Sequence, residues 1–202
     1  MATRSTISLI YKNGTAKQVY AHWDGYPSNN GELLKNNYNF TQANRLMVNG
    51  DISSLDESVE DTTFYGRDHG ETDVDAREFI SVSDWNKNRQ KEEWAYVFVE
   101  SMNAWYVCDE DDNMFYLLTK EIIKNNSVTN EEAEPLTEEF LDMFLLSTQI
   151  LNEPEVEPAE KKLMEVAEML FKEKNIDPTC LMNDADAYYV EGVKDFISML
   201  KK

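Results

Sequence analysis

The stretch Thr6–Trp23, TISLIYKNGTAKQVYAHW, decides how the first half of the chain is read. Two β-rich runs flank Asn13-Gly14, a dipeptide that supplies the positive φ angles of a tight hairpin turn. Ile7, Leu9 and Tyr11 fall on one face of the first run, because side chains alternate along a strand. On the second run Val19, Ala21 and Trp23 share a face, which places Trp23 in the core. Tyr20 and His22 take the opposite face. The next residues, DGYPSNNG (24–31), break the strand. Ser28 to Asn30 offer caps for a short helix that begins near Gly31 in GELLKNNY.

Working outward, residues 41–90 are polar and rich in turn formers, as in VNGDISSLDESVEDTTF (48–64) and YGRDHGETDVDAREFI (65–80). They are expected to cross the surface and to end in a short strand. The β signal returns in WAYVFVE (94–100) and continues in WYVC (105–108) and MFYLL (114–118). The turns between them are SMNA (101–104) and DEDDN (109–113), so these runs form a three-stranded meander. Hairpin and meander together predict a five-stranded antiparallel sheet with the helix after Gly31 on one face.

Beyond about residue 120 the pattern is helical. In PLTEEFLDMFLLSTQIL (135–151), Thr137 is the expected N-cap, and Glu138 and Glu139 sit in the first turn, where the helix dipole favours acids. Leu163, Val166, Ala167, Leu170 and Phe171 make one apolar stripe. Val193, Phe196, Ile197 and Leu200 make another, behind a cap at Asp184. The fold class is therefore α+β: an antiparallel sheet domain over residues 1–125, then an acidic three-helix region over 126–202 packed on it.

A hydrophobic share of 42% with 11% aromatics belongs to a folding chain. The net charge is −20, distributed as +3 over residues 1–50, −12 over 51–130 and −11 over 131–202. Such a field repels phosphate backbones and anionic lipid, which argues against direct nucleic-acid or membrane binding. It attracts proteins with basic surfaces; the plainer alternative is that it serves solubility. There is no apolar run of about 20 residues and no signal-peptide core. Cys108 and Cys180 belong to no CxxC or Cys/His cluster, so no structural zinc is expected and a reducing cytoplasm is the simplest home. GxSxG, GxGxxG and P-loop motifs are absent.

Both histidines stand beside acids and glycines, in His22-Trp23-Asp24-Gly25 and in Arg67-Asp68-His69-Gly70-Glu71. Imidazole with carboxylate is the material of an acid–base pair or of an oxygen- and nitrogen-ligated metal site. His22, Asp24, His69 and Glu71 are the candidate catalytic residues. With Asp68 they would hold a divalent ion if the two segments met, and Arg67 and Asp68 are the candidate ligand-binding pair. The competing reading is two polar turns, with Trp23 packed beneath the first and Arg67 paired with nearby carboxylates. DEDDN fails as a calcium loop because Met114 stands where the template needs glycine. It reads instead as an acidic turn. Asp109, Glu110, Asp111, Asp112, Glu138, Glu139, Glu153, Glu155 and Glu157 are the candidate interaction surface.

Four stretches, MATRSTI (1–7), HWDGY (22–26), RDHGE (67–71) and EWAYVF (93–98), resemble segments of a group of small tailed-bacteriophage proteins. The resemblance covers about the first half of the chain. It implies expression inside an infected bacterium and an accessory role against host machinery or antiviral defence. The expected function is thus non-catalytic. A phage accessory protein binds and inhibits a host protein with a basic surface, through an acidic and DNA-mimicking surface, without a cofactor. The alternative is a metal-dependent enzyme or nucleotide binder built on the His/Asp/Glu/Arg set. The two separate on whether His22 and His69 come within about 10 Å and face a common pocket.

Overall fold

A computed structural model describes residues 2–109, 114–128 and Leu136. All of them fall in the first of the two units into which the chain divides, residues 1–149 and 150–202. The helices expected beyond Leu136 lie outside the described residues.

The Asn13-Gly14 hairpin forms as the sequence predicts. Strands β1 (Ser5–Ile10) and β2 (Ala16–Ala21) pair antiparallel, with Ile7 opposite Val19 and Ser5 opposite Ala21. Gly14 has φ 83°, and the Asn13 side chain accepts hydrogen bonds from the Thr15 amide and hydroxyl at 3.1 and 2.8 Å. The chain then runs through α1 (Glu32–Asn37), α2 (Phe40–Asn49), β3 (Ile52–Ser54), β4 (Thr63–Phe64), α3 (Tyr65–His69), β5 (Arg77–Phe79) and α4 (Val82–Asn88). The meander follows as β6 (Trp94–Val99), β7 (Ala104–Asp109) and β8 (Tyr116–Leu117), before α5 (Lys120–Asn125).

The result is mixed α/β with a mainly antiparallel sheet. Among the described residues it has eight strands rather than five, in the order β4-β3-β2-β1-β6-β7-β8, with β5 beside the first half of β2. The join between hairpin and meander is parallel, from Ser5 opposite Trp94 to Ile10 opposite Val99. The long connection from β2 to β6 leaves ample chain for the crossover that parallel neighbours require. Strand β1 is thereby central, and all six of its residues are buried. Two of its three hydroxyls are met: Trp85 Nε1 donates to Ser8 Oγ at 3.0 Å, and Asn30 Nδ2 donates to Ser5 Oγ at 3.2 Å.

Alternation splits the core into two layers. Ile7, Leu9, Val19, Tyr96, Phe98 and Val107 face Leu34, Leu46 and Ile122 of the α1, α2 and α5 layer. Ile10, Ala16, Val97, Val99 and Cys108 face Val82 and Trp85 of α4, with Phe115 and Leu136. The second cover, α4, sits where only a short strand was expected. Its Ser81 cap accepts from the Asp84 amide at 3.0 Å, and Trp85 beside it is 2% exposed.

The helix after Gly31 also differs from expectation in how it starts. Ser28 to Asn30 are not caps; they lie inside a π-helical turn, Pro27–Gly31, that runs directly into α1. Among the described residues, no helix is long and apolar enough to cross a membrane.

Candidate functional site

Strand β2 ends at Ala21 because β3 takes over its backbone partners. The His22 amide donates to the Ile52 carbonyl at 3.0 Å, and the Trp23 amide to that of Ser53 at 3.1 Å. The chain then turns sharply, with Asp24 at φ 56°. Gly25 wedges against the start of β1. A Cβ there would lie 2.7 Å from the Arg4 carbonyl carbon and 2.9 Å from Ser5 Cβ. Its amide donates to the Thr3 carbonyl at 2.8 Å, and its carbonyl accepts the buried Tyr96 hydroxyl at 2.8 Å. Asn30 Nδ2 donates to the Trp23 carbonyl at 3.3 Å.

This corner overturns the expected burial of Trp23. Alternation stops with β2, the corner swings the indole outward, and Trp23 is 47% exposed. His22 stays on the face shared with Tyr20, as predicted, and its Nδ1 lies 2.7 Å from the Tyr20 hydroxyl.

The second motif forms the short helix α3. Arg67 Nε and Nη2 donate to the two Asp68 carboxylate oxygens, each at 2.8 Å, and Nη1 donates to the Val59 carbonyl at 3.2 Å. Nη2 also donates to the Thr62 carbonyl, and the guanidinium lies 4.8 Å above the Phe64 ring. Asp68 Oδ2 accepts the Phe64 amide at 2.8 Å. The Arg67 guanidinium, with that amide, holds the Asp68 carboxyl below the usual carboxylate range. The pair expected to bind a ligand is therefore a clasp on the loop before α3.

The two motifs do meet, and Tyr65 is where they meet. Its ring centroid lies 6.4 Å from that of His22, at 88° between planes, and 5.7 Å from that of His69, at 41°. The His22 ring also contacts Trp23 at 4.6 Å and 78°, and Tyr20 at 5.9 Å and 71°. Asp51 brings the elements together. Its carboxylate accepts the Tyr20 amide at 2.8 Å, and its carbonyl accepts the Tyr65 amide at 3.0 Å. Burial pushes the Asp51 carboxyl up, against the opposing pull of the Tyr20 amide and of Arg77. Gly50 lets the Val74 carbonyl in beside Asp51: at φ +81° its Cβ would fall 2.3 Å from that oxygen, which accepts the Asp51 amide at 2.7 Å.

The sequence marks neither Tyr65 nor Asp51 as a site residue. Tyr65 immediately precedes the second motif, which is the one signal that points to it.

The acids behave differently from the rings. Asp24, Asp68 and Glu71 are exposed, as is His69. Among the described residues no group of three or more His, Cys, Asp and Glu side chains is arranged to hold a metal ion. The five-residue ligand set of His22, Asp24, Asp68, His69 and Glu71 is thus not drawn together as one. Of the expected interaction surface, Asp109 ends β7 and is half-buried. Glu110, Asp111, Asp112, Glu138, Glu139, Glu153, Glu155 and Glu157 lie outside the described residues. Cys108 is buried and donates to the Asp109 carbonyl at 3.1 Å, and Cys180 lies outside the described residues.

An open cleft of about 340 Å³ lies between the α1–α2 junction and the β6–β7 turn, lined by Lys35, Asn36, Asn37, Asn39, Asn103 and Leu117 over Phe98 and Trp105. None of the described candidate residues lines it.

Fold and site define a mixed α/β protein that displays a row of aromatic and imidazole rings beside one edge of its sheet. Comparison with protein-family models, curated proteins and solved structures gave no match for the chain.

Proposed function

We propose that the chain is a non-catalytic binding protein that captures a protein with a basic surface. The carrying observation is the run of exposed acids over residues 56–78. There Asp56, Glu57, Glu60, Asp61, Asp68, Glu71, Asp73, Asp75 and Glu78 are all exposed, against Arg67 and Arg77. Ion pairing offsets little of this. Glu60 pairs with Arg45 at 2.5 Å, Arg67 with Asp68 at 2.8 Å, and Glu78 with Lys17 at 2.7 Å. A predominantly negative surface steers an oppositely charged partner and rejects like-charged ones.

The resemblance of the N-terminal stretches to tailed-phage proteins favours a partner in an infected bacterium, with inhibition of a host defence component as the outcome. The enzyme alternative is weakened because Arg67 and Asp68 neutralise each other, which removes its anion clamp.

Pull-down from bacterial lysate tests the reading. Basic proteins retained at low ionic strength are expected to elute as salt screens the contact, and to be lost when Glu57 and Asp75 are changed to Lys. Retention that ignores both salt and these changes, or no retention at low salt, contradicts it.

A further inference from the structure

We propose that the corner formed by Trp23, His22 and Tyr65 receives a cationic side chain, an arginine or a lysine, from the basic partner; the inference rests on the binding reading above and gives it a contact point. Trp23 is half-exposed, yet its backbone is fixed on both sides, by the Ser53 carbonyl and by the Asn30 carboxamide. Behind it Gly25 packs closely against the backbone of Arg4 and Ser5. A large ring held outward on a pinned backbone loses little freedom on binding, which is the property of an interface anchor.

The rings stand nearly perpendicular, 78° between His22 and Trp23 and 88° between His22 and Tyr65. These are edge-to-face contacts that brace the indole; Trp23 stays half-exposed, and ring faces attract cations through their quadrupole.

The surrounding charges select the occupant. Asp24, next to Trp23, and Glu71, whose amide donates to the Tyr65 carbonyl at 3.0 Å, are exposed carboxylates. The nearby Arg67 is turned away onto Phe64 and Asp68. Arg4 is engaged by the Tyr20 hydroxyl. The base of a nucleotide would also suit aromatic faces, but the phosphates it carries would meet a chain of net charge −20.

The test uses the full chain and NMR of the Trp23 indole and the His22 and His69 ring protons. The probe is a capped peptide, Gly-Arg-Gly-Arg-Gly, beside the same peptide with Gln for Arg. Saturable shifts of these signals are expected with the arginine peptide alone. Trp23→Ala should weaken binding roughly tenfold and Trp23→Phe less, since the ring face carries the attraction. Trp23 lies at the surface, and unchanged thermal melting confirms that each variant is folded. Equal binding by Trp23→Ala overturns the corner and leaves the acidic-surface reading standing. Absence of peptide binding at low salt overturns both. Shifts of the Trp23 indole by an oligothymidylate and not by the peptide overturn the cationic occupant.

Discussion

Gly25 and Gly70 each close a short motif of histidine, aspartate and glycine, and they do unlike work. Gly25 lies where the chain presses against the backbone of Arg4 and Ser5, so any side chain collides with atoms that cannot move aside. Gly70 has φ +70°, and a Cβ placed on it would meet nothing within 4 Å; it needs only the left-handed conformation that ends α3. The aspartates differ likewise. Asp24 adopts the strained turn that throws Trp23 outward, whereas Asp68 secures Arg67 and the Phe64 amide. Composition therefore marks both stretches as special without saying which is a corner of the fold and which is a clasp on its surface.

The difference can be measured, and the largest effect belongs to the wedge. Gly25→Ala is expected to destabilise the protein by about 3 kcal/mol, at the upper end for overpacking because the obstacle is backbone. Urea denaturation monitored by circular dichroism checks it; a loss below that of Gly70→Ala would erase the contrast. Tyr96→Phe should cost about 1.5 kcal/mol, since it leaves the buried Gly25 carbonyl without its hydroxyl donor. Gly70→Ala should cost about 1 kcal/mol, the ordinary penalty of a side chain at positive φ in open space. That ranking, in one denaturation series, separates steric wedge, buried hydrogen bond and backbone strain.

The smallest effect is one of pH. Burial raises the Asp51 carboxyl in the folded state. As pH climbs through the ordinary carboxylate range, the unfolded chain releases this proton first, so the wild type gives up stability until the raised native value is passed. Asp51→Asn keeps an acceptor for the Tyr20 amide and titrates nothing. Its stability relative to wild type should rise across that window and level off above it. A difference that stays flat with pH would remove the Asp51 carboxyl as the titrating partner of the Tyr20 amide.

Much of this is legible in the chain. Asn13-Gly14 announces the hairpin, and the aromatic runs from Trp94 to Leu118 announce the meander, because turn chemistry and alternation are local properties. The parallel pairing of β1 with β6 is not legible, since it depends on which strand edges meet across more than seventy residues. Helix α4 is seven residues long, too short for helical periodicity, although its Ser81 cap is visible. Both histidines stand out. Their meeting at Tyr65 does not, because it runs through the carboxylate and the carbonyl of Asp51, and no residue pattern encodes a long-range amide bond. Alternation misplaces Trp23 because it carries the strand two residues past the point where β3 captures the chain.

The central claim is that the two motifs share one surface across Tyr65 and present Trp23 there. Proton–proton Overhauser contacts among these side chains test it directly. Tyr65 ring protons should show contacts to ring protons of both His22 and His69, and His22 should show contacts to the Trp23 indole. Tyr65 contacts to only one histidine, or an indole of Trp23 in contact with the core instead of His22, would contradict the account.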